Sequence, residues 1–207
     1  MLFMLKLLEN YKEYKSDLSS SQLDRIRQLA KGQKPEYLFI SCSDSRVMPN
    51  LFTKSEPGSL FELQNAGNII PAYGAEAGRG MVATIDYAVS VLKVNNIIIC
   101  GHTFCGAMQA LFDPETLNKL PDVAKWLEHS EVARRIAHNE VQDGDKIKLT
   151  RAAVEANVVV QMNNIATHPS VARAIACNSI NLNGWVYDLE TTDILVYDKT
   201  HKRFTEA

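Results

Sequence analysis

Two runs of this 207-residue chain place residues capable of chemistry directly behind apolar segments. Leu38 to Arg46 reads LFISCSDSR, and Ile97 to Ala107 reads IIICGHTFCGA. Cys42, His102 and Cys105 offer two thiolates and one imidazole, a donor set that zinc accepts. Three protein ligands with a fourth position open describe a catalytic rather than a structural zinc site. Asp44 and Arg46 follow Cys42 at two-residue spacing. An aspartate there can accept a hydrogen bond from metal-bound water, and an arginine can fix that aspartate with a two-pronged contact. Two thiolates neutralise Zn2+ and make its water less acidic than three imidazoles would, so the charge around the metal matters.

Each piece is weak alone. A cysteine after an apolar run is usually a small buried hydrophobe, and an Asp–Arg pair at a surface is worth little. Two such runs ending in Gly or charge, rather than in more core, carry the reading together. Period-two alternation puts Cys100 on the same face as His102, so spacing leaves it open as a ligand, although its place inside NIIIC favours core packing. Cys177, near Val171 and Ala174, reads as core; His129, His138, His168 and His201 read as solvated. Cys42 to Arg46 is too short for a thiol phosphatase cradle, and there is no CxxC redox pair. The Gly-rich AYGAEAGRG is neither a Walker A loop nor GxGxxG, and no GxSxG nucleophile occurs.

The elements that must position these residues alternate between strand and helix. Tyr37 to Ser41, Leu60 to Gln64 and Asn96 to Cys100 read as buried strands, and GWVYDLE and ILVYD as two closing strands. Val82, Ile85, Val89 and Leu92 mark one helix face, and helices are expected at about 105–112, 122–138, 145–165 and 169–177. Ser21-Gln-Leu-Asp24 reads as a capping box before a helix that stops at Gly32. The pattern predicts an α/β fold with a mostly parallel central sheet, an antiparallel edge strand and flanking helices. Sites in such sheets gather beyond the carboxyl ends of the strands, where both runs end.

With 46% hydrophobic residues and no Pro/Gly/Ser-rich linker, residues 1–207 are expected to form one domain. A formal charge of -2 excludes the basic footprint of nucleic-acid binding. No apolar window approaches a membrane span, and MLFMLKLLENYKEYK lacks the basic start and cleavage site of an export signal. Its Leu2, Leu5, Leu8 and Tyr11 recur at helical spacing, as in an amphipathic helix that covers the body or a partner subunit. Four cysteines in such a chain point to reduced thiols or metal ligands and to the cytoplasm.

CSDSR, the EPG turn, NAGNIIP, IIICGHTFCGA, THPSV and a late GWVYD, in that order, together resemble a β-class carbonic anhydrase of the bacterial and plant-like branch, from about Gln33 to Asp188. CxDxR followed about sixty residues later by GHxxCG is much more specific than either half. The resemblance implies a β-carbonic-anhydrase-like fold and a zinc lyase that hydrates CO2 reversibly to bicarbonate and a proton through zinc-bound hydroxide. It implies zinc on Cys42, His102 and Cys105, one ion per subunit, with Asp44 and Arg46 as the catalytic pair and Asp44 a fourth ligand in a closed state. It implies that Gln33 hydrogen-bonds bicarbonate, and that Phe61, Ala66 and Tyr87 wall the substrate pocket, with Tyr87 reaching across a dimer interface. It implies a homodimer or a dimer of dimers, with N-terminal helices (about 1–31) on a neighbouring subunit. Many relatives carry Arg-Asn where this chain has Gln64-Asn65. In one bacterial subgroup a tryptophan, an arginine and a tyrosine build a second, inhibitory bicarbonate site; the matching positions here are Phe39, Gln64 and Tyr187. The rival readings are a carbon disulfide hydrolase with the same ligands and a non-catalytic zinc-binding protein, which would have no use for Asp44 and Arg46.

Overall fold

A computed structural model describes residues 2–75 and 78–207, with the side chains of residues 2–5 excepted. Glu76 and Ala77 of the Gly-rich stretch, and the side chains of Leu2 and Leu5, therefore lie outside the described residues. The chain divides into two compact units, one ending at Lys34 and the other Pro35–Ala207.

The first unit holds α1 (Leu2–Asp17) and α2 (Ser20–Leu29). The capping box forms on Ser19 rather than Ser21. Gln22 stands three residues on and reaches back to the Ser19 N–H at 2.9 Å, a reciprocal bond that the shorter Asp24 was expected to make with Ser21. Leu7, Leu8, Tyr11 and Tyr14 are exposed on α1.

In the second unit, β1 (Tyr37–Cys42), β2 (Leu60–Asn65), β3 (Asn96–His102), β4 (Asn181–Tyr187), β5 (Ile194–Asp198) and β6 (Arg203–Glu206) form one sheet in the order β2-β1-β3-β4-β5-β6. The first four are parallel; β5 and β6 are antiparallel additions. The expected antiparallel edge is thus two strands wide. Strand β6 is only RFTE, too short and too polar for alternation to mark it.

The helices are α3 (Pro49–Phe52), α4 (Arg79–Asp86) with a π turn at Tyr87–Val91, α5 (Gly106–Ala110), α6 (Pro114–Lys119), α7 (Pro121–Leu127), α8 (Glu131–Glu140), α9 (Lys146–Ala166) and α10 (Pro169–Ala176). The single helix expected at 122–138 is broken by a 3-10 turn at Glu128–Ser130. The Ser130 hydroxyl donates to Asn157 Oδ1 at 2.8 Å, and the His129 carbonyl accepts from Gln161 Nε2. Polar groups of α9 thus engage the chain where the helix is interrupted.

Helix α9 lies flat on the sheet because two glycines leave room for it. A Cβ on Gly101 would stand 2.9 Å from Val158 Cγ2, and one on Gly184 would stand 2.6 Å from Met162 Sδ. Leu38, Ile40, Ile97, Ile99, Val154 and Val158 share the core between this helix and the sheet. The opposite face of the sheet carries a smaller aromatic cluster of Phe39, Ile98, Cys100, Trp185 and Tyr187. Cys177 is exposed at the end of α10, because the helix closes one residue earlier and the thiol falls outside the Val171–Ala174 stripe. His168 is buried, not solvated: its Nε2 meets the Pro71 carbonyl at 3.0 Å.

Candidate metal centre

Strands β1 and β3 pair in parallel, with Ser41 opposite Cys100, so Cys42 and His102 arrive at the same carboxyl end of the strands. The chain then turns through Thr103 and Phe104 into α5, whose N-cap is Cys105. Phe104 makes that turn with φ 57°, a left-handed conformation costly for a bulky side chain. Such strain persists where the surroundings over-determine it, commonly at functional sites.

The ligating atoms of Cys42, His102 and Cys105 all lie within 4.8 Å of one another, and all three residues are buried. The two sulfurs stand 4.0 Å apart. The Cys105 thiol donates towards Cys42, which drives the Cys42 pKa far below that of an ordinary thiol and pushes Cys105 up. His102 Nδ1 meets the Thr103 carbonyl at 2.9 Å, so Nδ1 carries the proton and Nε2 presents a lone pair. That Nε2 is buried and has no hydrogen-bond partner. A buried orphan of this kind costs free energy unless something completes it. Its position beside two thiols fits a soft, tetrahedral cation, and zinc suits the donor set.

Asp44 stands over the trio with Oδ2 3.9 Å from His102 Nε2. Arg46 clasps it: Nε donates to Oδ1 at 2.9 Å, Nη2 to Oδ2 at 2.7 Å, and the Arg46 backbone N–H to Oδ1 at 3.0 Å. Arg46 Nη2 also donates to the Phe104 carbonyl at 3.3 Å, which ties the clasp to the turn between the two ligands. The Arg46 side chain holds the Asp44 carboxyl well below the usual carboxylate range.

Cys100 points elsewhere. It packs with Phe39 and Ile98, and burial pushes its thiol up to about 12. Phe61 and Tyr87 meet with ring centroids 6.0 Å apart, Phe61 half-buried and Tyr87 46% exposed. Ala66 is exposed, and its carbonyl accepts from Trp126 Nε1 at 2.8 Å. Gln33 is an exposed residue of the first unit.

Sequence reasoning passed over the groups behind the ligands. The Gly67 N–H donates to Cys42 Sγ at 3.3 Å, and the Gly67 carbonyl accepts from Asn157 Nδ2 at 3.0 Å. Asn157 and Gln161 are 1% and 0% exposed. Two amides spaced four apart within the apolar ANVVVQM were the available signal, since buried amides need partners.

The family model described as carbonic anhydrase matches residues 37–194. The chain is 43% identical over 203 residues to the carbonic anhydrase of Pseudomonas aeruginosa, covering 97% of this chain and 90% of that one. It is 41% identical to carbonic anhydrase 1 of Escherichia coli O157:H7, covering 97% and 91%. Among solved structures, the β-carbonic anhydrase CcaA superposes with a TM-score of 0.94 at 40% identity, covering 100% of this chain and 93% of that one. A tetrameric β-carbonic anhydrase structure from Sordaria macrospora superposes at 0.76 with 26% identity, covering 99% and 94%. With the sheet, the Cys2His group and these matches in agreement, the chain belongs to the β-class carbonic anhydrases.

Proposed function

We propose that the chain hydrates CO2 reversibly to bicarbonate and a proton, with Cys42, His102 and Cys105 holding one zinc ion per subunit and Asp44–Arg46 orienting the attack. The observation that carries this reading is the buried, unpartnered His102 Nε2 beside two thiols and 3.9 Å from a clasped carboxylate. When bound, zinc supplies the Lewis acidity that makes water a nucleophile near neutral pH.

The chain's own residues do the rest. Oδ2 of Asp44 would accept a hydrogen bond from the nucleophile's remaining O–H and so turn an oxygen lone pair towards carbon. Arg46 holds that carboxylate ionised and acceptor-only, because two guanidinium donors already face it. CO2 has no charge and little hydrogen-bonding capacity, so the apolar surfaces assigned by resemblance to Phe61, Ala66 and Tyr87 suit it. Gln33 would donate to bicarbonate after the C–O bond forms, and the released proton leaves to buffer. A non-catalytic zinc site would leave the Asp44 clasp without a task.

The same reading makes the protein a cytoplasmic homo-oligomer, a dimer or a dimer of dimers, with the N-terminal helices packed on a neighbouring subunit. The tetrameric Sordaria structure supports the assembly. Exposed Leu7, Leu8, Tyr11 and Tyr14 on α1 supply an apolar surface for it. A reducing compartment would keep Cys42 and Cys105, 4.0 Å apart, from oxidising. Among the described residues no helix is long and apolar enough to cross a membrane.

Bicarbonate should not switch this enzyme off cooperatively. Phe39 is fully buried against Trp185 and Phe52 and carries no donor. Gln64 is neutral and donates to Ser41 Oγ at 3.3 Å, and Tyr187 stacks on Phe52 at 4.7 Å. An anion site needs a charged, forked donor, and losing a charge-assisted bond of about 1.5–3 kcal/mol weakens such a site by an order of magnitude or more. At neutral pH Asp44 therefore stays with Arg46; closure onto the metal belongs to low pH, where the hydroxide is lost. Stopped-flow CO2 hydration across a bicarbonate series at fixed pH and ionic strength tests both points. Measurable turnover with plain product inhibition is expected. No turnover would overturn the activity, and steep, cooperative inhibition would overturn the account of Gln64.

A further inference from the structure

We infer that Trp126 and Asn157 are positioning residues for the metal centre, clamping the two peptide groups on either side of Gly67 so that its N–H stays aimed at Cys42 Sγ. This rests on Cys42 being a metal ligand. Trp126 Nε1 donates at 2.8 Å to the Ala66 carbonyl, the oxygen of the same peptide whose N–H reaches Cys42 Sγ at 3.3 Å. Asn157 Nδ2 donates at 3.0 Å to the Gly67 carbonyl on the next peptide. The amide of Asn157 cannot turn over without loss, because its Oδ1 accepts from Ser130 Oγ and from Gln161 Nε2, each at 2.8 Å.

Gly67 makes such a clamp necessary. It has φ +82°, and Asn68 follows at φ 47°. A glycine rotates freely enough for its peptide to flip, which would replace the N–H facing the thiolate with a carbonyl oxygen. A side chain cannot be used to block the flip, since a Cβ on Gly67 would stand 3.1 Å from both Ala107 Cβ and Met108 Cε at the start of α5. Hydrogen bonds from outside the loop hold the orientation instead. Gln161 Oε1 and Asn164 Nδ2 extend the grip to both sides of Ile70, accepting its N–H at 2.8 Å and donating to its carbonyl at 2.9 Å.

An N–H bond to a ligating sulfur stabilises thiolate charge and fixes its direction, and outer partners of ligands are worth about 10–100-fold in metal affinity. The test uses the full-length protein loaded with cobalt(II), whose sulfur-to-metal charge-transfer band reports the thiolate directly. It is paired with the rate of zinc release to pyridine-2,6-dicarboxylate. Trp126→Phe removes one donor and keeps the ring; Asn157→Ala removes the other; Phe204→Ala, on the distant edge strand, controls for lost stability. In both Trp126→Phe and Asn157→Ala the band should move to lower energy and zinc release should quicken about tenfold, while Phe204→Ala leaves both unchanged. Native band and release in Trp126→Phe would overturn the inference, even were Asn157→Ala to fold poorly. So would equal changes in Phe204→Ala. A wild-type chain that takes up no cobalt would instead overturn the metal-centre reading, and this inference with it.

Discussion

Cys42→Ser should lose zinc and CO2 hydration together, whereas Cys100→Ser should keep both. Serine places a neutral hydroxyl where the site is built around an anion. The Gly67 N–H is aimed at Cys42 Sγ, where it stabilises a thiolate. A hydroxyl with an alcohol's pKa offers neither the charge nor the softness that zinc draws from thiolate. With the other two ligands left, His102 Nε2 and Cys105 cannot hold the ion against buffer. Cys100 is the matched control because it is also buried and lies on the neighbouring strand, opposite Ser41. It packs beside Phe39 and Ile98 in the smaller cluster, and burial keeps it protonated. Elemental zinc analysis and stopped-flow rates on the two purified variants decide the matter. Full zinc occupancy in Cys42→Ser would sink the ligand assignment.

Asp44→Asn should keep its zinc and lose about 10²–10⁴ in hydration rate. The carboxylate now accepts from Arg46 at both oxygens and still has a lone pair on Oδ2, the atom 3.9 Å from His102 Nε2. An amide has one oxygen to set against two guanidinium donors. Whichever way it turns, either its NH2 faces Arg46 or its NH2 faces the reacting water, where an acceptor is required. Metal retention is spared because the three ligand atoms come from other residues. Near-native turnover in a zinc-loaded variant would reduce the pair to an ordinary surface ion pair.

The chemistry was easier to read in the sequence than the frame around it. Cys42, His102 and Cys105 announce themselves because each follows a run such as IIIC or LFIS that only a buried strand explains. Parallel pairing then brings those strand ends together without further information. What stayed hidden depends on contacts distant in sequence. The break at Glu128–Ser130 coincides with amides of α9 some thirty residues on, invisible to any local window. Helix α9 itself is buried on several sides, so its polar Asn157 and Gln161 look like interruptions rather than a device. The exposure of Cys177 turned on where α10 closes, a matter of one residue, and helix ends are the least legible feature of any sequence. His168 looked like a helix-end residue in solvent until the Pro71 carbonyl, almost a hundred residues earlier, covered it.

The central claim is that the metal held by Cys42, His102 and Cys105 carries CO2 hydration. The most direct measurement follows zinc content and hydration rate on one sample of the native chain through chelation and return of zinc. The account predicts one zinc per subunit, a rate that falls in step with zinc removed, and recovery when zinc is restored. Undiminished hydration by the stripped protein would contradict it.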